Sequence, residues 1–126
     1  MGCRLLVVED NPVNRELLCD WLDIEGFEVQ TAENLSQAFA VFEERPPQAV
    51  LLDVQLGIED GLSLASWMRD EPRFRSVPVI AVTAHAMLTD QNRVMQAGCN
   101  ACVSKPIDFG LLKRHLLTFL PEKNAI

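Results

Sequence analysis

Short apolar runs alternate with helix-like segments along the whole chain, and no other feature restricts the fold as strongly. Five stretches read as strands: Leu5 to Val8, Glu28 to Ala32, Ala49 to Leu52, Val79 to Thr83 and Ala101 to Ser104. Each gap between them leaves room for a helix, so the strands are expected to run parallel with helices on both faces of one sheet, a doubly wound α/β architecture. Three of the runs are apolar throughout, as central parallel strands are when both faces are covered. Glu28 to Ala32 is mixed in pattern and is expected at an edge.

The gaps carry helix signals. Asn11 can cap, and Pro12 can start, a helix that presents Val13, Leu17, Trp21 and Ile24 as its apolar face before Gly26 ends it. A second helix is expected from about Ser36 to Glu44, with Leu35, Phe39 and Phe42 turned inward and Pro46-Pro47 stopping it. A third covers Leu62 to Asp70. A fourth runs from about Thr89 to Ala97 with Val94 and Met95 as its main apolar residues and Gly98 closing it. Asp108 caps the last, whose face is Phe109, Leu112, Leu116 and Phe119 or Leu120, and Pro121 ends it.

Five strands and five helices use up the 126 residues, so one domain over 1–126, with its core in about 4–120, is the expectation. The contents, 48% hydrophobic and 23% charged, suit a globular chain that folds alone. A formal charge of −7 has the wrong sign for binding nucleic acid through its phosphates. No apolar run approaches the roughly 18 residues of a membrane helix. Met1-Gly2-Cys3 invites a lipidation reading, but Leu6 stands where a myristoylation signal prefers Ser or Thr, and Glu9-Asp10 cuts the apolar run too short for a signal peptide. The four cysteines are therefore expected to be thiols in the cytoplasm. Cys99 and Cys102 form a C-x-x-C with no second pair to complete a zinc site.

In an open parallel sheet, ligands bind beyond the carboxyl ends of the strands, so the residues that matter are those where each apolar run stops. The first run stops at Glu9-Asp10, the third at Asp53, the fourth at Thr83 and the fifth at Lys105-Pro106. Three crowded carboxylates either take up protons or are neutralised by a cation. Hard oxygen ligands with few other donors suit Mg²⁺, which accepts a phosphate oxygen as a further ligand. Lys105 adds positive charge and Thr83 a hydroxyl, so a transferring phosphoryl group would find partners for its oxygens, with Asp53 as nucleophile. Acidic residues at strand ends are common on solvated loops, and one alone would mean nothing. Four strand ends with complementary chemistry mean more.

These residues resemble the receiver domain of the two-component response-regulator family from Arg4 to about Leu120. The pattern runs Val8-Glu9-Asp10-Asn11, Leu52-Asp53 with Asp60-Gly61 seven residues on, Val82-Thr83-Ala84, Ala97-Gly98 and Ser104-Lys105-Pro106. The resemblance implies a flavodoxin-like (βα)5 fold with strand order 2-1-3-4-5. It implies that Asp53 accepts phosphate from a phosphohistidine, that Glu9, Asp10, Asp53 and the main-chain carbonyl of Gln55 hold Mg²⁺, and that Thr83 and Lys105 sense the phosphoryl group. It also implies a cis bond before Pro106.

Some positions depart from the family pattern. Gly57 replaces the usual proline, so a more mobile loop is expected after Asp53. Cys102 stands where the family has an aromatic residue that moves between surface and interior, and a small thiol cannot expose a ring. The response to phosphate is then expected to rest mainly on Thr83 and the loop carrying His85. Gln55 and His85 would flank the phosphoryl group and set its lifetime; the plainer reading of His85 is a solvated loop histidine. Trp21 and Trp67 are expected to pack, and Glu43-Glu44 and Glu122-Lys123 to be solvated.

The reading that follows is a signalling receiver, stand-alone or excised from a hybrid kinase, whose only catalysis is its own phosphorylation and autodephosphorylation. Its partners would be a histidine kinase or histidine-phosphotransfer protein, a free phosphotransfer protein approaching near the first helix and Asp53, and a downstream protein target; the interaction face that the resemblance implies includes the fourth helix, the fifth strand and the last helix. A Mg²⁺-dependent phosphohydrolase using an aspartyl-phosphate is the alternative, but Val54-Gln55 puts no acid two residues after Asp53 to protonate a leaving group. A flavin module of the same topology fails because Glu9-Asp10 would repel the phosphate.

Overall fold

The computed structural model describes residues 3–84 and 88–120. Five parallel strands, β1 (Arg4–Val8), β2 (Glu28–Ala32), β3 (Ala49–Asp53), β6 (Val79–Thr83) and β7 (Ala101–Ser104), form one sheet in the order β2-β1-β3-β6-β7. This is the order expected for five strands. Between β3 and α3 the loop expected after Asp53 forms a miniature antiparallel hairpin, β4 (Gln55–Leu56) and β5 (Glu59–Asp60).

The helices are α1 (Pro12–Ile24), α2 (Leu35–Glu44), α3 (Leu62–Asp70), α4 (Leu88–Gln96) and α5 (Phe109–Phe119). Side chains alternate across each strand, so the sheet feeds two separate cores. Leu6, Val8, Val50, Leu52, Val79 and Ala81 meet α2, α3 and α4 on one face. Leu5, Val7, Ala49, Leu51, Ile80 and Val103 meet α1 and α5 on the other. All residues of β3 and β6 are buried, whereas β2 is largely open, as an edge strand should be. Trp67 packs among Phe39, Phe42 and Phe74, and Trp21 lies 5.0 Å from the Phe109 ring.

One helix face differs from the sequence reading. On α1 the residues that enter the core are Leu18 and Leu22, with Trp21 half-buried against them. Val13, Leu17 and Ile24 are 72%, 55% and 81% exposed. Leu17-Leu18 and Trp21-Leu22 are adjacent apolar pairs, so two stripes about 100° apart compete for the sheet, and the sequence favoured the wrong one. On α4, Val94 packs inward but Met95 is half exposed. No helix among the described residues is long and apolar enough to cross a membrane.

Candidate functional site

The chain leaves β1 for β2 on one side and β3 on the other, which opens a crevice at the carboxyl ends of β1 and β3. Glu9 continues β1 by donating its amide to the Ala32 carbonyl at 3.0 Å, which buries its side chain, while Asp10 turns out to the surface. Asn11 caps α1 through Oδ1, accepting from the amides of Val13 and Asn14, and its own amide donates to Glu9 Oε2 at 3.3 Å. Arg15 then reaches back from the first turn of α1. Its Nη1 donates to the carbonyls of Glu9 (3.0 Å) and Asp10 (3.4 Å), and its Nη2 lies 3.0 Å from Glu33 Oε1.

Asp53 ends β3 with its side chain buried, and Oδ1 accepts from the Gln55 amide at 3.0 Å. The hairpin begins there. Gly57, for which a looser loop was expected, instead opens a tight two-residue turn at φ +58°, a conformation glycine adopts without steric cost. The turn lies beside Asp10, and Ile58 at its tip is fully exposed. Glu59 accepts from the Leu35 amide at the start of α2 (3.1 Å), and Asp60 pairs with Arg93 of α4 at 3.0 Å. Gly61 closes the loop under the acceptor, where a Cβ would overlap the Asp53 carbonyl oxygen.

From β7, Lys105 brings Nζ to 3.2 Å from Asp53 Oδ2 and 3.5 Å from Glu9 Oε1. The Lys105–Pro106 bond is cis, and the Lys105 amide donates to the Thr83 carbonyl at 2.8 Å. Thr83 is buried at the end of β6, one residue past the partner of Asp53 in the sheet register. Glu9, Asp10 and Asp53 each offer an oxygen within 4.8 Å of the others. That compact set of hard, anionic oxygens, one of them open to solvent, fits Mg²⁺ with retained waters.

Crowding shows in the titration of the cluster. Burial, then the contact with Asp53 and that group's charge, push the Glu9 carboxyl up to about 7, against weaker lowering by the Asn11 amide and Lys105. Burial works against the Lys105 charge, but Asp53 and Glu9 outweigh it and hold the ammonium above its usual range. Without metal, then, the folded protein keeps a proton on Glu9 at pH values between about 4.5 and 7 where the unfolded chain has released it. The Glu9 contribution to stability therefore falls as pH rises through that window and is level above it. Urea unfolding in EDTA should show this loss between about pH 4.5 and about pH 7, and Glu9→Gln should flatten the slope. An unchanged slope in the variant would place the proton elsewhere.

All six residues singled out from the sequence thus sit at one end of the sheet: Glu9, Asp10, Asp53 and Lys105 in direct proximity, Gln55 against Asp53 through its amide, and Thr83 on the adjoining strand. His85 lies outside the described residues, as does Glu122-Lys123. Cys102 is half-buried against the core, and burial raises its thiol; burial pushes Cys99 up to about 12, so these are protonated thiols at neutral pH. Arg15 was not singled out, because nothing in its neighbourhood of sequence signals a contact back to the Glu9 and Asp10 backbone.

The model of the response regulator receiver domain matches residues 5–117, and the chain belongs to that family, a signalling module of two-component systems rather than a conventional enzyme. It is 40% identical over 107 residues to the polar-differentiation response regulator DivK of Brucella anthropi, covering 85% of this chain and 87% of DivK. Among solved structures it is similar to the receiver domain of sensor histidine kinase PA1611 from Pseudomonas aeruginosa PAO1 (TM-score 0.85, 34% identity, 94% of this chain and 98% of that one), which has a magnesium ion coordinated in its active site cleft. A putative response regulator from Chloroflexus aurantiacus J-10-fl superimposes with a TM-score of 0.91 at 26% identity, over 96% of this chain and 99% of that one.

Proposed function

We propose that Asp53 accepts a phosphoryl group from a phosphohistidine on a histidine kinase or histidine-phosphotransfer protein, as a step in a cytoplasmic phosphorelay. The observation that carries this reading is the convergence of three carboxylate oxygens within 4.8 Å beside an ammonium 3.2 Å from Asp53. Mg²⁺ would be held by Glu9, Asp10, Asp53 and the main-chain carbonyl of Gln55. When bound, it would set positive charge against the phosphoryl oxygens.

The chain's own groups account for the rest. An oxygen of Asp53 attacks phosphorus in line with the bond to the donor imidazole; that P–N bond breaks and its electron pair returns to the ring nitrogen. The nucleophile is buried, so few waters compete with it. Lys105 exchanges its pairing with the Asp53 carboxylate for a phosphoryl oxygen, and the Thr83 hydroxyl serves another. The same groups permit slow hydrolysis of the acyl phosphate, past the exposed Gln55 side chain. A protein donor rather than a small one is favoured by the surroundings. Exposed Leu17 borders an apolar recess of about 250 Å³, which Leu18, Pro106, Ile107 and Phe109 also line beside Glu9 and Lys105.

The test is intact mass after incubation with a small acyl phosphate, and separately with a phosphorylated histidine-phosphotransfer protein, in Mg²⁺ or in EDTA. One phosphoryl adduct that depends on Mg²⁺ is expected from both donors. Absence of any adduct would remove the reading.

A further inference from the structure

The metal ligands Glu9 and Asp10 come from consecutive residues at a strand-to-helix turn, so the peptide joining them sets where both carboxylates point. Three carboxyl groups crowd within 4.8 Å around that turn, and crowding of this kind disfavours charge on all of them at once. Lys105 offsets the repulsion at Glu9 and Asp53, to which it is bonded, whereas the Asp10 carboxylate lies at the surface.

A second cation acts on the same turn from behind. The Arg15 guanidinium bonds both carbonyls that bracket the turn, those of Glu9 at 3.0 Å and Asp10 at 3.4 Å. Its other terminal nitrogen is anchored 3.0 Å from Glu33, at the end of the neighbouring strand β2. The Arg15 side chain is only 19% exposed and its bond to the Glu9 carbonyl is partly buried, whereas its bonds to the Asp10 carbonyl and to Glu33 lie at the surface. The Arg15 amide also donates to the Asn11 carbonyl at 2.9 Å, which fixes the base of the side chain to the first turn of α1. One planar fork thus ties β1, β2 and α1 together around the peptide that presents two metal ligands, a task for several fixed donors rather than a point charge.

We infer that Arg15 is a positioning residue for the divalent-cation site: by holding the Glu9 and Asp10 carbonyls it pre-sets their carboxylates for Mg²⁺ without touching the ion. This rests on the reading of the acidic cluster as a Mg²⁺ site. Groups that orient metal ligands in this way commonly alter affinity by about 10- to 100-fold when removed. Because the ligands themselves remain, the loss should appear in the concentration of Mg²⁺ required, not in what the loaded site can do.

Mg²⁺ titration calorimetry on the full chain tests this with Arg15→Met, which keeps the apolar stem and removes the guanidinium, and Arg15→Lys, which restores one point donor. Arg15→Met should raise the Mg²⁺ dissociation constant about tenfold and Arg15→Lys less. Acyl-phosphate labelling should need correspondingly more Mg²⁺ yet reach the wild-type rate at saturation. The upward shift of the thermal midpoint on adding a fixed amount of Mg²⁺ should also shrink, which a purely structural role would not produce. Mg²⁺ affinity within twofold of wild type in Arg15→Met overturns the inference and leaves the metal site standing. Should Arg15→Met fail to fold, Arg15→Gln, which also removes the guanidinium, decides on the same criterion. No Mg²⁺ binding by the wild-type chain would overturn the metal reading first and the inference with it.

Discussion

Asp53→Asn should abolish the phosphoryl adduct, with a loss of labelling rate on the order of a thousandfold or more, while the chain stays folded. The two side chains have nearly the same shape, and the amide can still accept from the Gln55 amide that Asp53 Oδ1 accepts from at 3.0 Å. What disappears is the anionic nucleophile. The substitution also takes one charge out of a cluster whose crowding, after burial, is what raises Glu9, so Glu9 should titrate lower in the variant. Intact mass after acyl phosphate treatment in Mg²⁺ measures the first effect. The pH dependence of urea unfolding in EDTA measures the second. An adduct that survives unchanged would move the acceptor to another nucleophile, and the nearby exposed Asp10 would be the first to examine.

Much of this site was legible from sequence because parallel sheets confine chemistry to strand ends. The runs Leu5 to Val8, Ala49 to Leu52 and Val79 to Thr83 are apolar enough to be recognised as central strands, so the polar residue that stops each run falls at the same sheet edge. Glu9, Asp53 and Thr83 could be found without knowing a single contact. The hairpin could not. Two-residue strands have no periodicity to detect, and Gly57 read as looseness although its positive φ builds a tight turn. The packing face of α1 differs from the expected one because adjacent apolar pairs support two helical stripes.

Arginine contacts were the least legible, since a long side chain chooses its partners only once the fold exists. Arg69 donates from Nε to the Gly98 carbonyl (2.8 Å), from Nη1 to that of Val77 (3.0 Å) and from Nη2 to Asn100 Oδ1 (2.8 Å), knitting α3 to the entrances of β6 and β7. Arg93 reaches the hairpin, and Arg15 the metal-ligand turn. In each case a guanidinium satisfies backbone or loop groups outside its own helix, and no local pattern of residues encodes that. The Asp53 carboxylate is consequently bonded to a hairpin that is itself bonded to α2 through Glu59 and to α4 through Asp60. Cys102, half-buried on β7, supplies no ring to move.

Gly61→Ala is expected to destabilise the fold and disable the acceptor together. Gly61 has φ −57° and ψ −28°, a helical conformation in which alanine is at ease. By backbone preference alone the change would stabilise by about 0.4–1 kcal/mol, through the unfolded chain. Space decides the sign. The Gly61 amide donates to the Val54 carbonyl at 2.9 Å, which draws the start of α3 under the end of β3, and an added Cβ would overlap the Asp53 carbonyl oxygen and stand 3.1 Å from that of Val54. Those atoms belong to backbone in the all-buried β3 region and cannot swing aside as a side chain could. Overpacking of this kind costs about 1–3 kcal/mol, enough to reverse the preference. The atoms forced to move carry the nucleophile, so the rate of acyl-phosphate labelling should fall even in the fraction that remains folded. Gly57→Ala separates the two effects: its Cβ would meet only Asp10 Oδ2 at an ordinary 3.7 Å, and its cost should be the φ +58° conformation, about 1 kcal/mol, with labelling largely kept. Urea unfolding and labelling rates on both variants should therefore diverge, and a Gly61→Ala protein as stable and as reactive as the wild type would show that β3 yields where the geometry says it cannot.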